Sequence, residues 1–238
     1  GMARLNPPGQ DIQRLREEYA RRASLSEHDD RYRADNPAYQ WMISRRRDEL
    51  SALLNRRGIT DLSRLKILEV GCGSGGVMRE FLALGAERSR IFGIDLLPDR
   101  LRAARAGNLA LNVSCADGQS LPFAAGSFDL ALQFTAFSSI LDSAIKKEMA
   151  AEILRVLKPE GALLWYDFWW NPLNPQTKGI HLREIRRLFP NCALDSLKLT
   201  LAPPISRRLL PQFSRAAASL EQMRFLNTHY LVLAWRKP

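Results

Sequence analysis

The chain has little of what several protein classes require. Its 238 residues include three cysteines and three histidines. Cys72, Cys115 and Cys192 are odd in number, far apart and in no metal-ligand spacing, which argues against a disulfide framework or a zinc module. His28, His181 and His229 form no ligand cluster, so no metal site is expected. No apolar run approaches the ~18 residues that span a bilayer. The first residues carry no apolar stretch of the export-signal kind. Reduced, packed thiols and a cytoplasmic location are the expectation.

Positive charge is abundant. The formal net charge is +10, and it is unevenly placed. Residues 1–66 hold 14 Lys+Arg against 10 Asp+Glu, 67–177 hold 10 against 12, and 178–238 hold 11 against 3. A basic flank attracts anionic substrates, membrane surfaces or nucleic acid, or is simply a solvated arginine-rich face. Aromatics and basics interleave only loosely over 203–236, so nucleic acid is the weaker expectation.

The length suits one domain with appendages. Asp11 is placed to cap a helix running to about residue 24, with Ile12, Leu15 and Tyr19 on one face. Asn36 and Pro37 read as cap and first turn of a second helix that Gly58 ends. Residues 1–60 thus form a helical cap, and 61–238 the main body. There, buried strands at 66–70, 90–94, 111–114, 128–133, 161–167 and 193–200 alternate with helices at 76–84, 98–106, 142–156 and 181–189. That alternation predicts an α/β fold with a parallel, doubly wound sheet. Residues 202–224 are too long for a hairpin and read as one or two helices. Three roles stay open for them: a substrate cap, an interfacial helix with apolar and basic faces, or a cover over the sheet edge.

The densest signal is Ile67-Leu-Glu-Val-Gly-Cys-Gly-Ser-Gly-Gly76. An apolar strand ends in a glycine cluster and opens into a helix, as a turn needs when a ligand lies against its backbone. Gly71, Gly73 and Gly76 also satisfy the dinucleotide pattern G-x-G-x-x-G, so this segment alone leaves NAD or FAD open. The rest of the chain decides. Arg90-Ile-Phe-Gly-Ile-Asp95 is a second strand ending in a carboxylate that two ribose hydroxyls can share. Ala116-Asp-Gly-Gln-Ser-Leu-Pro-Phe123, Gly126-Ser-Phe-Asp-Leu-Ala-Leu132 and Leu154-Arg-Val-Leu-Lys-Pro-Glu-Gly-Ala-Leu-Leu164 follow in order.

In order and spacing these pieces resemble the class I S-adenosylmethionine (SAM) dependent methyltransferases. The likeness is to the small-molecule branch, type 11, which includes quinone, sugar and natural-product enzymes. It covers roughly residues 65–168. The regions 165–190 and 202–224 depart from the quinone enzymes. The resemblance implies a Rossmann-like, seven-stranded sheet whose last strand, 227–235, inserts antiparallel between the fifth and sixth. It also implies a lid made by the N-terminal helices. SAM is the implied cofactor and S-adenosylhomocysteine its product.

Residue roles follow from the same resemblance. Gly71, Cys72, Gly73 and Gly75 would form the loop beside the amino-acid and ribose parts, with Glu69 ordering it. Asp95 would hold the ribose and Leu96 pack on the adenine. Asp117 would read the adenine amine, with a backbone N–H of Asp117 or Gly118 facing the ring. Gln133 and Phe134 would lie beside the methionine moiety, and Tyr19 and Arg22 would close over it. Thr135, Phe137, Ser138, Tyr166, Trp169, Trp170 and Asn171 are the expected acceptor surround. Two tryptophans beside a polar turn suit an amphipathic pocket wall.

Methyl transfer is an in-line displacement in which positioning supplies much of the catalysis. A general base helps only some acceptors, and His181 and Asp167 are the residues placed for it. After strand four comes Gln133-Phe-Thr-Ala, not the Asn/Asp-Pro-Pro-Tyr motif of enzymes acting on adenine or glutamine. The expected acceptor is therefore a small or lipid-linked molecule, with an oxygen on a saccharide, glycolipid or secondary metabolite foremost. RNA methylation through the basic flank and a non-catalytic SAM-binding role are the alternatives.

Overall fold

A computed structural model describes residues 13–14, 17–18, 21, 36–106, 110–171, 174 and 176–237. Tyr19 and Arg22, and with them most of the first expected helix, lie outside the described residues; residues 13, 14, 17, 18 and 21 are helical.

Helix α1 (Pro37–Arg56) starts where the Asn36 side chain accepts from the N–H groups of Ala38 and Tyr39, at 3.0 and 3.1 Å. That bond satisfies two donors with no partner inside the helix. Gly58, at φ +76°, turns the chain away after its end. Leu50, Leu53 and Leu54 are buried against the sheet, so α1 shares the main core.

The body runs β1 (Ile67–Val70), α2 (Gly76–Ala83), β2 (Ile91–Asp95), α3 (Pro98–Arg105), β3 (Asn112–Cys115), β4 (Phe128–Phe134), α4 (Ser143–Val156), β5 (Leu157–Phe168), α5 (Leu182–Leu188) and β6 (Cys192–Leu201). It ends with α6 (Pro203–Leu209), α7 (Ser214–Gln222) and β7 (Asn227–Arg236). One seven-stranded sheet results, in the order β3-β2-β1-β4-β5-β7-β6. Strands β1 to β5 run parallel to one another, and β7 runs antiparallel between β5 and β6. This is the Rossmann-like arrangement the sequence predicts, with the last strand where the resemblance puts it.

Side chains alternate between two apolar layers, as the pleat dictates. Ile67, Leu130, Leu132, Phe134 and Tyr166 join Met78 and Phe81 of α2 and the leucines of α1 on one face. Leu68, Val70, Ala131 and Trp165 join Met149 and Ile153 of α4 on the other.

One departure has a local cause. The fifth strand extends over 157–168 rather than 161–167, because Leu157 pairs with Phe128 before Ala162 pairs with Leu130. Lys158-Pro-Glu-Gly161 loops out between them, where proline's missing donor costs no ladder bond. The 202–224 insertion is two helices. It leaves the carboxyl end of β6 and returns at Asn227, which pairs with Leu201. Arg45 of α1 meets Glu221 of α7 at 2.8 Å, tying the insertion to the N-terminal helix.

Candidate functional site

A cleft holding about 810 Å³ of atom-free space opens at the carboxyl ends of β1, β2 and β4. This is where ligands bind in open α/β sheets, at the point where strand order reverses. Its wall includes Val70, Gly71, Asp95, Leu96, Asp117, Gly118, Phe134 and Thr135.

Backbone geometry builds one side. Gly71, Gly73 and Gly75 have φ of +79°, +52° and +80°, a region that a Cβ makes costly. At Gly71 an added Cβ would also meet the Ala136 Cβ at 2.7 Å. The loop is pinned by Asp95. One of its oxygens accepts from the Gly73 N–H at 2.8 Å, the other from the Leu97 N–H at 2.9 Å. Arg100 stands 3.6 Å from the same carboxylate and lies against Gly73. A carboxylate has about four acceptor positions, so each Asp95 oxygen keeps capacity for a hydroxyl donor.

Beneath the loop, Glu69 is 2% exposed and its Oε2 has no protein partner. Burial drives its carboxyl well above the ordinary range, and the nearby Arg46 guanidinium opposes this. Burial likewise raises the Cys72 thiol, which makes it a packed filler rather than a nucleophile.

At the far end, Asp117 accepts from the Gln119 backbone N–H at 2.9 Å and from its side-chain amide at 3.1 and 3.0 Å. Met149 packs beneath Gly118, where an added Cβ would meet it at 2.7 Å. Between the two ends stands Thr135, a non-glycine residue at φ +57°. Its N–H donates to the Tyr166 carbonyl at 2.8 Å, which holds this costly conformation at the cleft wall.

The remaining expected residues lie elsewhere. Gln133 is fully buried and donates to Asp167 at 2.6 Å. Asp167 is 1% exposed and also accepts from the backbone N–H groups of Ser138 and Phe168. Burial raises its carboxyl, and those bonds oppose the rise. Phe137 is buried against Trp165, with ring centroids 4.8 Å apart, and Ser138 is buried beside it. The Trp169 indole donates to the Asn227 carbonyl at 2.7 Å, under the Lys198 ammonium. Asn171 bonds Thr177, and Trp170 is half exposed. His181 precedes α5, with its ring 6.0 Å from that of Trp169. None of these lines the cleft.

Other residues enter unannounced. Arg100, Gln119, Ala136, Ser139, Ile140, Ile145 and Met149 complete the wall. The i,i+4 spacing of Ile145 and Met149 on α4 was a readable signal for a shared face. Arg14, in the N-terminal segment, donates to the Ser139 carbonyl at 2.6 Å and so reaches the cleft's lip.

These features fit a nucleoside joined to a cationic amino acid. A glycine cradle that any Cβ would fill adjoins a buried carboxyl with one oxygen unpartnered, with a second carboxylate at its edge and a third at the apolar end.

A model described as a methyltransferase domain matches residues 67–161. The chain is 29% identical over 195 residues to a fatty-acid O-methyltransferase of Mycolicibacterium smegmatis, covering 75% of this chain and 70% of that one. It is 30% identical over 138 residues to a sterol 4-C-methyltransferase of Caenorhabditis elegans, covering 55% of this chain and spanning 39% of the relative's length. In fold it is similar to a Burkholderia thailandensis 1,6-didemethyltoxoflavin N1-methyltransferase crystallised with 1,6-didemethyltoxoflavin and S-adenosylhomocysteine. That likeness has a TM-score of 0.63 at 19% identity and covers 100% of this chain and 93% of the other.

Proposed function

We propose that this chain, which carries a methyltransferase-domain match over residues 67–161, is a SAM-dependent methyltransferase that methylates a carboxylate oxygen of an apolar or lipid-linked acid. The observation that carries this reading is the cleft's inventory. Among the described residues that line it there is no histidine, lysine, cysteine or tyrosine, and the charged side chains are Asp95, Asp117 and Arg100. With the two carboxylates serving the cofactor, nothing in the wall is left to take a proton. A carboxylic acid is already ionised near neutral pH and needs no base, unlike a sugar or sterol hydroxyl. Among the described lining residues Arg100 is the one cation, and it stands 3.6 Å from Asp95.

When bound, SAM supplies a methyl group on a sulfonium, which departs as a neutral thioether. The protein's work is then placement. Asp95 and the Gly71–Gly75 turn hold the ribose side, Asp117 the adenine side, and the free Oε2 of Glu69 accepts from the ammonium, directly or through water. Thr135 and Phe134 face the space between. Arg14, bonded to the Ser139 carbonyl, closes one edge of the mouth against water. The apolar remainder of the acceptor lies toward the mouth. The overlap with the fatty-acid O-methyltransferase, over 75% of this chain, supports the same acceptor class.

The test is transfer of labelled methyl from SAM by the purified chain to a panel of long-chain acids, acidic glycolipids, sterols and neutral sugars. Product that releases its label as methanol in mild alkali is the expected methyl ester. Alkali-stable label, or transfer only to hydroxyl acceptors, overturns the carboxylate assignment.

A further inference from the structure

Exposed large hydrophobic side chains are ordinarily scattered over a monomer. Here, among the described residues, there are five: Leu141, Trp170, Phe213, Met223 and Phe225. All five leave the sheet at the same end. Leu141 follows β4, Trp170 follows β5, and the other three lie between the end of β6 and the start of β7. Strand β6 is antiparallel to β7, which is antiparallel to β5, so β6 points the same way as β5 and β4. The carboxyl end of the sheet therefore carries every one of them, and it is the end at which the cleft opens.

Charge on the two connections that carry Trp170, Phe213, Met223 and Phe225 is one-sided. The connections 169–181 and 202–226 hold Lys178, Arg207, Arg208, Arg215 and Arg224 against a single acid, Glu221. Glu221 is 2% exposed and paired with Arg45. Lys178 and the four arginines are exposed. Phe225 is 72% and Phe213 60% exposed; Phe213 caps the start of α7, and Phe225 lies in the short turn after its end, beside Arg224. Apolar side chains interleaved with arginine, without an exposed acid, match a surface lying in the headgroup layer of an anionic bilayer. No described helix is long and apolar enough to cross a membrane, so the contact is peripheral.

We infer that the carboxyl end of the sheet docks on a bilayer rich in anionic lipid, with the 202–226 insertion as its anchor. Docking there turns the cleft mouth toward the lipid layer. The inference uses the proposed acceptor class for its purpose, but binding is read without turnover, so the two fail separately.

The experiment is flotation of the full chain with vesicles of pure phosphatidylcholine and of 3:1 phosphatidylcholine:phosphatidylglycerol. The expected result is capture by the anionic vesicles alone, released as salt rises. Each arginine near the surface contributes about fivefold. Arg207→Glu/Arg208→Glu should therefore weaken capture by roughly 25-fold or more, and Phe213→Ser/Phe225→Ser by at least tenfold. Arg88→Glu/Arg90→Glu, at the opposite end of the sheet, should change it less than twofold. S-adenosylhomocysteine affinity checks that each variant is folded, and the wild-type comparison of the two vesicles needs no variant. Three outcomes overturn the inference: capture by neither vesicle, equal capture by both, or tight binding of single-stranded RNA that anionic vesicles do not displace.

Discussion

Arg46 of α1 and Glu80 of α2 form an ion pair inside the protein, each side chain 9% exposed. The guanidinium lies over the rings of Phe134 and Tyr166, 5.3 and 5.1 Å from their centroids. It is also the cation nearest in effect to the buried Glu69. One residue of the N-terminal helix thus neutralises the floor of the cofactor cleft. Breaking a buried pair on one side leaves a charge unpaired, at a cost of about 3–5 kcal/mol. Arg46→Met should lower unfolding stability by that amount in urea titrations. Arg46→Met/Glu80→Leu should recover part of it, because the second change removes one of the stranded charges. A single variant as stable as wild type would show that α1 does not carry this charge.

Asp95 serves two structures at once. Its carboxylate pins the Gly73 and Leu97 N–H groups, and the proposed ribose contact uses the same oxygens. Hydrogen bonds to a charged group are worth about 1.5–3 kcal/mol each, so losing two costs at least about 100-fold in affinity. Asp95→Ala should weaken S-adenosylhomocysteine binding by this much in calorimetry. Asp117→Ala should weaken it less, since one adenine contact is at stake. Equal affinity for wild type and Asp95→Ala would remove the ribose assignment.

Much of this was legible in the chain. A strand, a glycine cluster and a following acid can be read in order, because each needs a particular residue type at a particular offset. The antiparallel last strand came from the resemblance, not from spacing. Arg46 was not legible: in Arg45-Arg46-Arg47 it looks like any solvated arginine, and only the packing of α1 across Phe134 buries it. Ile140 and Ile145 reach the cleft through a short turn and a helix start that hold no fixed offset from the glycines. Asp167, at a strand end beside two tryptophans, read as a reactive group. Burial and three hydrogen bonds make it a strut between β4, β5 and the turn after β4.

Gly71 tests whether the turn's shape matters apart from its charges. An alanine there meets both the positive φ and the Ala136 Cβ at 2.7 Å. Backbone strain of this kind costs about 1–3 kcal/mol. Gly71→Ala should lower stability by that much and push the Thr135–Phe137 turn outward, weakening S-adenosylhomocysteine at least tenfold. Gly85→Ala is the control, at φ +101° with open space around it. It should carry the backbone cost alone and leave affinity unchanged.

His229 gives the fold a pH dependence of known sign. Its ring stacks on Tyr166 at 4.4 Å and is buried, which pushes it down to about 3, with Arg46 adding to the effect. The folded state holds it neutral, while the unfolded chain takes a proton below about 6.5. The stability it contributes is full above that pH and is lost as pH falls toward 3, at about 1.4 kcal/mol per unit. The raised carboxyls of Glu69 and Asp167 act in the opposite sense, so the comparison must be with a variant. Between pH 7.5 and pH 5, wild type should lose about 2 kcal/mol relative to His229→Gln. Parallel curves for the two proteins would show that the imidazole is not held neutral.

His181 separates the two ways of moving a proton. It sits at the start of α5 beside Trp169, outside the cleft wall. If an ionised carboxylate is the acceptor, no proton leaves during transfer and no base is needed. His181→Ala should then keep kcat within twofold. The kcat profile should stay flat from pH 6.5 to 8.5 with a long-chain acid as substrate. A hydroxyl acceptor would behave differently: its proton must go to a base, and the alanine variant would lose most of the turnover. A tenfold or greater loss of kcat, with S-adenosylhomocysteine affinity unchanged, would move His181 into the catalytic site and require the α5 start to close over the cleft.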